Sequence, residues 1–365
     1  MVKMEQSILV FYTTATCNLN CSYCYIDKNP ALQEIDNLLD ESFKGDYYFN
    51  FTKEIFKDPY QLKEVEFWGG EPTLRLDRAY NVVDKLIQHY PNLSEFMMST
   101  NLTHDQWTSQ FYGFLDVLGK YPERSFIFKL QLSLDGPTYL NDINRGKGVT
   151  EKFSKNFSKI ISSIDTILFK YPNIEIQAYF KPTLDSNSIK FLQIKENIIK
   201  YYQFFELFKT LSEKVASPNF MLSLSVPNTA CPSQHTVEEG KLFAKIVKLC
   251  REIEEENKEK HYFKYYNCIT PYGYPLIGEA INWANIGGCG TGKYVIGLLP
   301  NRMVSGCHGG FVELISDYKK YCLETKDKER TISANNFIAE GMRMHPLVFP
   351  VSELEDYCEK IETFY

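Results

Sequence analysis

The stretch SILVFYTTATCNLNCSYC, residues 7–24, joins an apolar run to three closely spaced cysteines. Residues 7–14 are rich in β-branched and aromatic side chains, which predicts a buried β-strand. Cys17, Cys21 and Cys24 follow at once, on a segment short enough to form one tight loop. Three thiolates on such a loop can hold three corners of a cubane [4Fe-4S] cluster and leave the fourth iron without a protein ligand. An open metal position is typical of catalysis, because a substrate or cofactor can coordinate there.

Two other uses of these cysteines fit the spacing less well. A structural zinc site has four ligands, usually from paired Cys-x2-Cys or His-containing units. The sequence contains no second Cys-x2-Cys pair and no matching pair of histidines. A disulfide framework is typical of small secreted domains, whereas this chain has 365 residues and no recognisable secretory signal.

A second motif lies further along, in EVEFWGGEPT, residues 64–73. Residues 64–68 predict a short buried strand that ends at Gly69 and Gly70. Glycines at a strand end let backbone carbonyls approach a ligand closely, and the carboxylate of Glu71 can accept hydrogen bonds from an ammonium group. By itself, the segment is more typical of a simple strand-to-helix turn with Pro72 at the start of the helix.

Together these motifs resemble those of the radical S-adenosylmethionine (radical SAM) superfamily. The cysteine triad with the aromatic Tyr23 before its last member resembles the cluster motif, and Gly69-Gly70-Glu71 resembles the GGE motif. The resemblance implies a [4Fe-4S] cluster whose open iron is chelated by the amino and carboxylate groups of SAM. It also implies that the cluster, reduced by an external electron donor, cleaves SAM to a 5′-deoxyadenosyl radical, which takes a hydrogen atom from the substrate.

A third motif, LQLSLDGP at residues 130–137, lies at the end of a predicted strand. With Arg145 it resembles the S-L-D-G-P and D-x-x-R pattern of peptide-modifying radical SAM enzymes. The resemblance implies that Ser133, Asp135 and Arg145 help to hold the carboxylate or ribose of SAM. The alternative is an Asx-type turn with a surface ion pair.

Ser99 and Asn101 follow another predicted strand, at a position where the family often has T-N-G. The resemblance implies that both residues bind the cofactor. This chain has Leu102 in place of the glycine, so the match is incomplete.

Apolar runs alternate with segments of helical period along the first two thirds of the chain, which predicts βα units on a parallel sheet. The six predicted strands cover residues 7–14, 64–68, 95–100, 127–134, 174–180 and 219–225. Apolar residues spaced by three and four predict core-facing helices at residues 76–90 and 153–168, and Cys250 has the same spacing in a later helix. Six such units fit the partial barrel that the resemblance implies, with the chemistry at the carboxyl ends of the strands.

A second pair of cysteines, Cys289 and Cys307, lies at the two ends of a predicted β-hairpin, which would bring the thiolates close together. The segment resembles the opening half of the SPASM or twitch extension, which binds auxiliary [4Fe-4S] clusters in some radical SAM enzymes. The C-x2-C-x5-C run of a full SPASM domain is missing. Cys322 and Cys358 could complete one auxiliary cluster, and the alternative is a degenerate extension whose cysteines only pack.

The resulting fold class is α/β, a partial (β/α)6 TIM-type barrel with a small C-terminal α+β extension that contains cysteines and is twitch/SPASM-like. We expect the barrel at residues 1–235, a linking helix at 236–260 and the extension at 261–365. The charge run at 251–260 marks the expected passage between them.

The composition excludes several other classes of protein. Forty basic and 46 acidic side chains give a net charge of −6, without the basic footprint of a nucleic-acid-binding protein. No apolar run is long enough to predict a membrane span, so we expect a cytoplasmic protein without nucleic-acid or membrane partners.

Three functions are consistent with these observations. The first is a radical SAM enzyme that modifies a residue of a peptide or protein, as a maturase of ribosomally made peptides (RiPPs) or of another enzyme. Only 16 residues precede Cys17, so we expect the substrate to be recognised by the barrel, by the extension or by a separate recognition protein. The second is a radical SAM dehydrogenase or related enzyme that acts on a small molecule. The third is a metal-binding scaffold without SAM chemistry.

Overall fold

A computed structural model describes residues 7–24, 26, 31–213, 217, 219–224, 228–229, 242, 245–246, 249–250, 252–253, 256, 295–306 and 348–350. Its strands, in chain order, are β1 (Ile8–Thr14), β2 (Glu64–Gly69), β3 (Glu95–Thr100), β4 (Phe126–Leu132), β5 (Ile174–Phe180), β6 (Thr183–Leu184), β7 (Phe220–Leu224), β8 (Asn228–Thr229), β9 (Val295–Leu298), β10 (Met303–Ser305) and β11 (Val348–Pro350).

The α-helices whose first and last residues the structure defines lie between β1 and β7. They are α1 (Ala31–Phe43), α2 (Tyr47–Ile55), α3 (Tyr80–His89), α4 (Trp107–Leu118), α5 (Thr138–Asn144), α6 (Val149–Lys170), α7 (Ser186–Phe191) and α8 (Lys195–Ser212). Short 3₁₀ turns at Pro72–Leu74 and Leu76–Ala79 carry the chain from β2 to α3, and another at Pro300–Arg302 joins β9 to β10.

The main sheet has the strand order β11-β10-β9-β1-β2-β3-β4-β5-β7. From β1 to β7 all neighbouring strands are parallel, and each connection passes through one or two helices. This arrangement confirms the predicted α/β class and the six predicted strands, whose ends differ from the observed ends by two residues at most. β6 and β8 form a separate two-stranded parallel sheet.

The sheet continues past β1 in a way that the sequence did not predict. β9 pairs with β1 in parallel, from Ile8 opposite Val295 to Phe11 opposite Leu298. β10 then pairs with β9 in the antiparallel sense, so the hairpin predicted between Cys289 and Cys307 is present. The two cysteines themselves, like Cys322 and Cys358, lie outside the described residues. The domain division stays a prediction.

Side chains alternate between the two faces of the sheet, because successive residues of a strand point in opposite directions. One face is apolar and packs under the helices. Its members in the main core include Leu9, Phe11, Val65, Phe67, Phe96, Met98, Phe128, Leu130, Ile176 and Ala178. The helical stripes at residues 76–90 and 153–168 bury most of their apolar side chains in the same core, as predicted, and Cys250 is buried there too.

The opposite face carries polar side chains from β2 to β5 and just beyond the strand ends. We call it the polar face, and it comprises Glu64, Glu66, Trp68, Met97, Ser99, Lys129, Gln131, Ser133, Tyr179 and Lys181. Because parallel strands end at one edge, the loops that follow β1 to β5 meet at the carboxyl edge of the sheet. In the described part of the chain, no helix is long and apolar enough to cross a membrane.

Candidate functional site

The three N-terminal cysteines lie on the loop that follows β1, at the carboxyl edge of the sheet. Cys17, Cys21 and Cys24 are half-buried. A turn closed by the hydrogen bond from Cys24 N–H to the Cys21 carbonyl (3.0 Å) brings two of them together. The described residues of this loop, 15–24 and 26, have no regular secondary structure, so contacts with its neighbours must hold it in place.

The sulfur of Cys17 is placed among hydrogen-bond donors. The backbone N–H of Leu19 donates to Cys17 Sγ over 3.4 Å, and the side-chain amide of Asn101 donates to it over 3.7 Å. Burial, followed by the charge of Glu71, raises the pKa of this thiol to about 12. A metal ion bonded to the sulfur would offset that cost, since coordination deprotonates a thiol.

This donor set fits the cluster that the sequence predicts. Cubane clusters are held by one thiolate per iron, and N–H groups that donate to cluster sulfurs tune the reduction potential. Cys17, Cys21 and Cys24 would therefore hold three irons, with Asn101 and Leu19 as donors to one of the thiolates. Among the described residues, no group of three or more His, Cys, Asp or Glu side chains, the three cysteines included, is gathered closely enough to hold a metal ion.

The loop after β2 packs directly against the cysteine loop. Gly70 N–H donates to the Thr14 carbonyl and Glu71 N–H donates to the Thr16 carbonyl, each over 2.9 Å. A Cβ atom added to Gly69 would lie 2.1 Å from the Thr14 oxygen, and one added to Gly70 would lie 1.9 Å from the Thr16 oxygen. Gly69 also has a φ of +124°, which side chains rarely adopt. The two glycines are therefore required by the close approach of the cysteine loop.

Glu71 is fully buried, and its carboxylate joins the loop after β2 to the end of β3. Its Oε1 accepts hydrogen bonds from Thr73 N–H (3.2 Å), Thr73 Oγ1 (2.6 Å) and Thr100 Oγ1 (2.7 Å). Its Oε2 accepts from Asn101 N–H over 2.7 Å. Burial raises the pKa of this carboxyl group in spite of these donors. The contacts make Glu71 a link between the loops after β2 and β3, and its predicted contact with the amine of SAM stays a prediction.

The loop after β3 contains Asn101 and reaches the cysteine loop. Asn101 donates to Asn18 Oδ1 over 2.9 Å, and Asn18 donates to Thr103 Oγ1 over 2.8 Å. Leu102, at the position where the family often has glycine, is buried and has a φ of +55°. The backbone thus has a left-handed conformation at this position without a glycine. Ser99 lies lower on the polar face, where its hydroxyl accepts from Gln131 Nε2 over 2.9 Å.

Asp135 and Arg145 form a buried ion pair, with 2.7 Å between Arg145 Nη2 and Asp135 Oδ1. The surface ion pair of the alternative interpretation is therefore wrong in its location, since both side chains are enclosed. The hydroxyl of Tyr23 donates to Asp135 Oδ2 over 2.7 Å, and the Arg145 guanidinium lies 5.6 Å from the centre of the Tyr23 ring. This network fixes the middle of the cysteine loop to the end of β4.

Ser133 lies beside these groups, and its backbone N–H donates to the Thr100 carbonyl over 2.8 Å. The structure thus brings the N-terminal residues that the sequence singled out to the carboxyl edge of the sheet, with Ser99 inside β3 on the polar face. It also adds Lys181, Gln131, Glu66 and Trp68, whose roles the sequence analysis did not predict. The sequence feature that could have identified these four residues is the two-residue alternation of polar and apolar side chains in β2, β4 and β5.

Comparison with known proteins relates the N-terminal part of the chain to one protein family. Residues 11–173 match the family model described as Radical SAM superfamily, which is just under half of the chain. A relative from Methanocaldococcus jannaschii, the uncharacterised protein MJ0907, is 31% identical over 101 residues, and these cover 26% of this chain and 30% of the relative.

Solved structures of Streptococcus suis SuiB are also similar. SuiB bound to S-adenosylmethionine has a TM-score of 0.41 and 15% identity, with 84% of this chain and 59% of SuiB aligned. SuiB bound to the precursor peptide SuiA has a TM-score of 0.44 and 14% identity, with 94% of this chain and 71% of SuiB aligned. The chain thus spans about three tenths of the curated relative and about six tenths of SuiB in its complex with S-adenosylmethionine.

Proposed function

From the radical SAM domain formed by residues 11–173, we propose that this protein is an enzyme that reductively cleaves SAM and abstracts a hydrogen atom to modify a residue of a peptide or protein. The domain indicates an enzyme and implies a [4Fe-4S] cluster and SAM as cofactors. The observation that carries the proposal is the cysteine loop at the carboxyl edge, with two N–H donors on Cys17 and its backbone hydrogen-bonded to the loop after β2.

When bound, the cluster and SAM would supply an electron and a 5′-deoxyadenosyl radical. The residues of this chain would hold and orient them. Cys17, Cys21 and Cys24 would bind the cluster, and the links through Glu71 and Asp135 would keep the loop in a fixed position. A reaction of this kind depends on placing one C–H bond next to the radical and on excluding water, which is the role we assign to the polar face.

The choice of a peptide or protein substrate rests on the resemblance of Ser133-Leu134-Asp135-Gly136-Pro137 to the motif of peptide-modifying enzymes. The predicted auxiliary cluster at Cys289, Cys307, Cys322 and Cys358 would be a further feature of that group. We propose one such cluster and an external electron donor, and we expect the protein to work in the cytoplasm.

The first experiment tests the radical chemistry. Protein reconstituted without oxygen should bind iron and sulfide and, when reduced with SAM, form 5′-deoxyadenosine that mass spectrometry detects. Cys17→Ala should lose the iron of the N-terminal cluster, about four irons per chain, and the product, because each thiolate holds one iron. Cys250→Ala is the matched control, since Cys250 is buried in the apolar core and should leave both unchanged. A colourless wild type, or deoxyadenosine formed equally by Cys17→Ala, would refute the proposal.

A second experiment tests the auxiliary cluster. Wild type should hold about eight irons per chain and a Cys289→Ala/Cys307→Ala variant about four, since each cubane holds four. About four irons in both proteins would remove the auxiliary cluster from the proposal and leave the radical chemistry intact.

A third experiment tests the class of substrate. A short peptide encoded beside this gene should change in mass when it is incubated with the reduced enzyme and SAM. If the peptide stays unmodified while a sugar or cyclitol intermediate is oxidised, the enzyme acts on a small molecule and the peptide assignment is wrong.

A further inference from the structure

Two lysines lie on the polar face, and they differ in their partners. Lys129 donates to Glu64 Oε1 over 3.1 Å and also to the carboxylate of Glu95, so two negative charges neutralise it. Lys181 lies on the same face nearer the carboxyl edge, and its ammonium donates to the side-chain oxygen of Gln131 over 3.2 Å. Among the described residues, no carboxylate forms an ion pair with Lys181.

The surroundings of Lys181 make a bare ammonium costly. Its side chain is half-buried, and its ammonium lies 5.8 Å from the centre of the Trp68 ring. Burial lowers the pKa of this lysine, and only the more distant charge of Glu66 acts in the opposite direction. A cation removed from water is normally paired, and an amide oxygen with an aromatic ring replaces only part of its hydration.

Gln131 is itself held in place, which fixes the direction of the ammonium. Its side-chain nitrogen donates to Ser99 Oγ over 2.9 Å. Its oxygen accepts from the hydroxyl of Tyr179 over 3.3 Å as well as from Lys181. The amide therefore cannot turn over without breaking these bonds, so its oxygen faces Lys181 and Tyr179. The arrangement orients Lys181 but does not neutralise its charge.

The position of Lys181 places it next to the predicted cofactor contacts. Its backbone N–H donates to the Leu132 carbonyl over 2.9 Å, so Lys181 lies beside Ser133 across the strand ends. The other cation predicted there, Arg145, is occupied by Asp135 at 2.7 Å. Lys181 therefore has no carboxylate partner in the described part of the chain, and a carboxylate that enters this edge could pair with it.

We propose that Lys181, oriented by Gln131, is a carboxylate-binding subsite on the polar face. The carboxylate belongs either to the methionine part of SAM or to the substrate. The first source rests on the proposed function, whereas binding of a simple carboxylate does not depend on it. Lys129 serves as the reference, since it lies on the same face but already has two carboxylate partners.

The test combines a footprint with binding measurements on the reconstituted protein. The wild type is treated briefly with an amine-acylating reagent, alone, with SAM, with glutarate, or with the neutral glutaramide. Mass spectrometry then gives the acylation of Lys181 relative to Lys129 in the same sample. Anaerobic equilibrium dialysis compares the binding of SAM and of glutarate by wild type, Lys181→Met and Lys181→Arg, with urea unfolding to verify that the variants fold.

We expect SAM or glutarate, but not glutaramide, to protect Lys181 several-fold relative to Lys129. Lys181→Met should bind the protecting compound about tenfold or more weakly, the usual effect of losing a hydrogen bond between charged groups, while Lys181→Arg should retain most of the affinity. Protection by SAM identifies the cofactor as the source of the carboxylate, and protection by glutarate but not by SAM identifies the substrate.

Equal acylation under all four conditions, with unchanged binding by Lys181→Met, would overturn the proposal and leave Lys181 a structural residue. The footprint gives this answer even if Lys181→Met fails to fold. A wild type that binds neither iron nor SAM would instead count against the proposed function, and the glutarate measurement would still test the subsite.

Discussion

Gly70→Ala should displace the cysteine loop, because the added methyl group has no room. Its Cβ would lie 1.9 Å from the Thr16 carbonyl oxygen and 2.9 Å from that of Ala15. Relieving this contact requires a shift of about 1 Å or more in one of two closely packed backbones. Thr16 immediately precedes Cys17, so the shift would move the first cluster thiolate.

The energetic cost follows from the same contacts. The hydrogen bonds from Gly70 N–H to Thr14 and from Glu71 N–H to Thr16 would weaken, and each is worth about 1 kcal/mol. Forcing a methyl group into a packed region adds about 1 to 3 kcal/mol. We therefore expect the free energy of unfolding to fall by about 3 to 5 kcal/mol.

Urea unfolding measures this loss, and iron content after anaerobic reconstitution measures the effect on the cluster loop. Gly45→Ala is the control, because its Cβ would meet nothing within 4 Å although its φ is +58°. That variant should lose only the cost of a left-handed alanine, about 1 to 2 kcal/mol, and keep full iron content. If Gly70→Ala unfolds like Gly45→Ala and binds as much iron, the contact between the two loops does not position the cysteines.

The other predictions concern the residues around this loop, all measured by urea unfolding. Asp135→Asn should lower the unfolding free energy by about 3 to 5 kcal/mol, since it leaves a buried arginine unpaired. Tyr23→Phe should lower it by about 1 to 3 kcal/mol, since it removes one hydrogen bond to a carboxylate. Equal effects would contradict this order. Because Leu102 has a positive φ, Leu102→Gly should be about 1 kcal/mol more stable than Leu102→Ala, although alanine is usually the more stabilising of the two residues. The reverse order would show that the left-handed conformation carries no strain. Burial alone would raise the pKa of Asp40, but hydrogen bonds from Arg78 help to lower it below its ordinary value. The stabilisation that the charged Asp40 gives to the folded protein is therefore present above about pH 4 and is lost as the pH falls through the lowered pKa. Asp40→Asn should therefore cost up to about 1 kcal/mol near neutral pH and nothing in strong acid, and a difference that persists in acid would contradict the assignment.

The six parallel strands could be predicted from the sequence because each is a local feature. A run such as residues 95–100 combines apolar, β-prone side chains with turn residues on both sides, and that information lies within a few residues. The pairing of β1 with β9 could not be predicted in the same way. Residues 8–11 and 295–298 are both apolar, and nothing in either segment specifies the other as its partner.

The carboxylate that pairs with Arg145 could likewise not be predicted from the spacing of the D-x-x-R pattern. Asp142 is the acidic residue of the D-x-x-R pattern, and its carboxylate accepts from Gly148 N–H over 3.0 Å. Arg145 turns back to Asp135, ten residues earlier, because α5 reverses the chain after β4. Asn141 stabilises the reversal, since it accepts from Asp135 N–H over 2.8 Å and donates to the Gly136 carbonyl over 2.6 Å.

Glu71 and Asp135 show why motif residues and ligand contacts need to be distinguished. Both carboxylates are buried. Glu71 accepts hydrogen bonds from the end of β3, and Asp135 accepts them from three other segments, through Tyr23, Arg145 and Thr183. Three cysteines can hold a cubane only if their loop is fixed before the metal arrives or becomes fixed as it binds, and the described residues of the loop have no regular structure to achieve this. A pre-formed loop loses less conformational entropy on binding, and each buried bond to a neighbouring loop shifts the cost of ordering from cluster assembly to folding. Removing either carboxylate should therefore weaken iron retention even where the protein still folds.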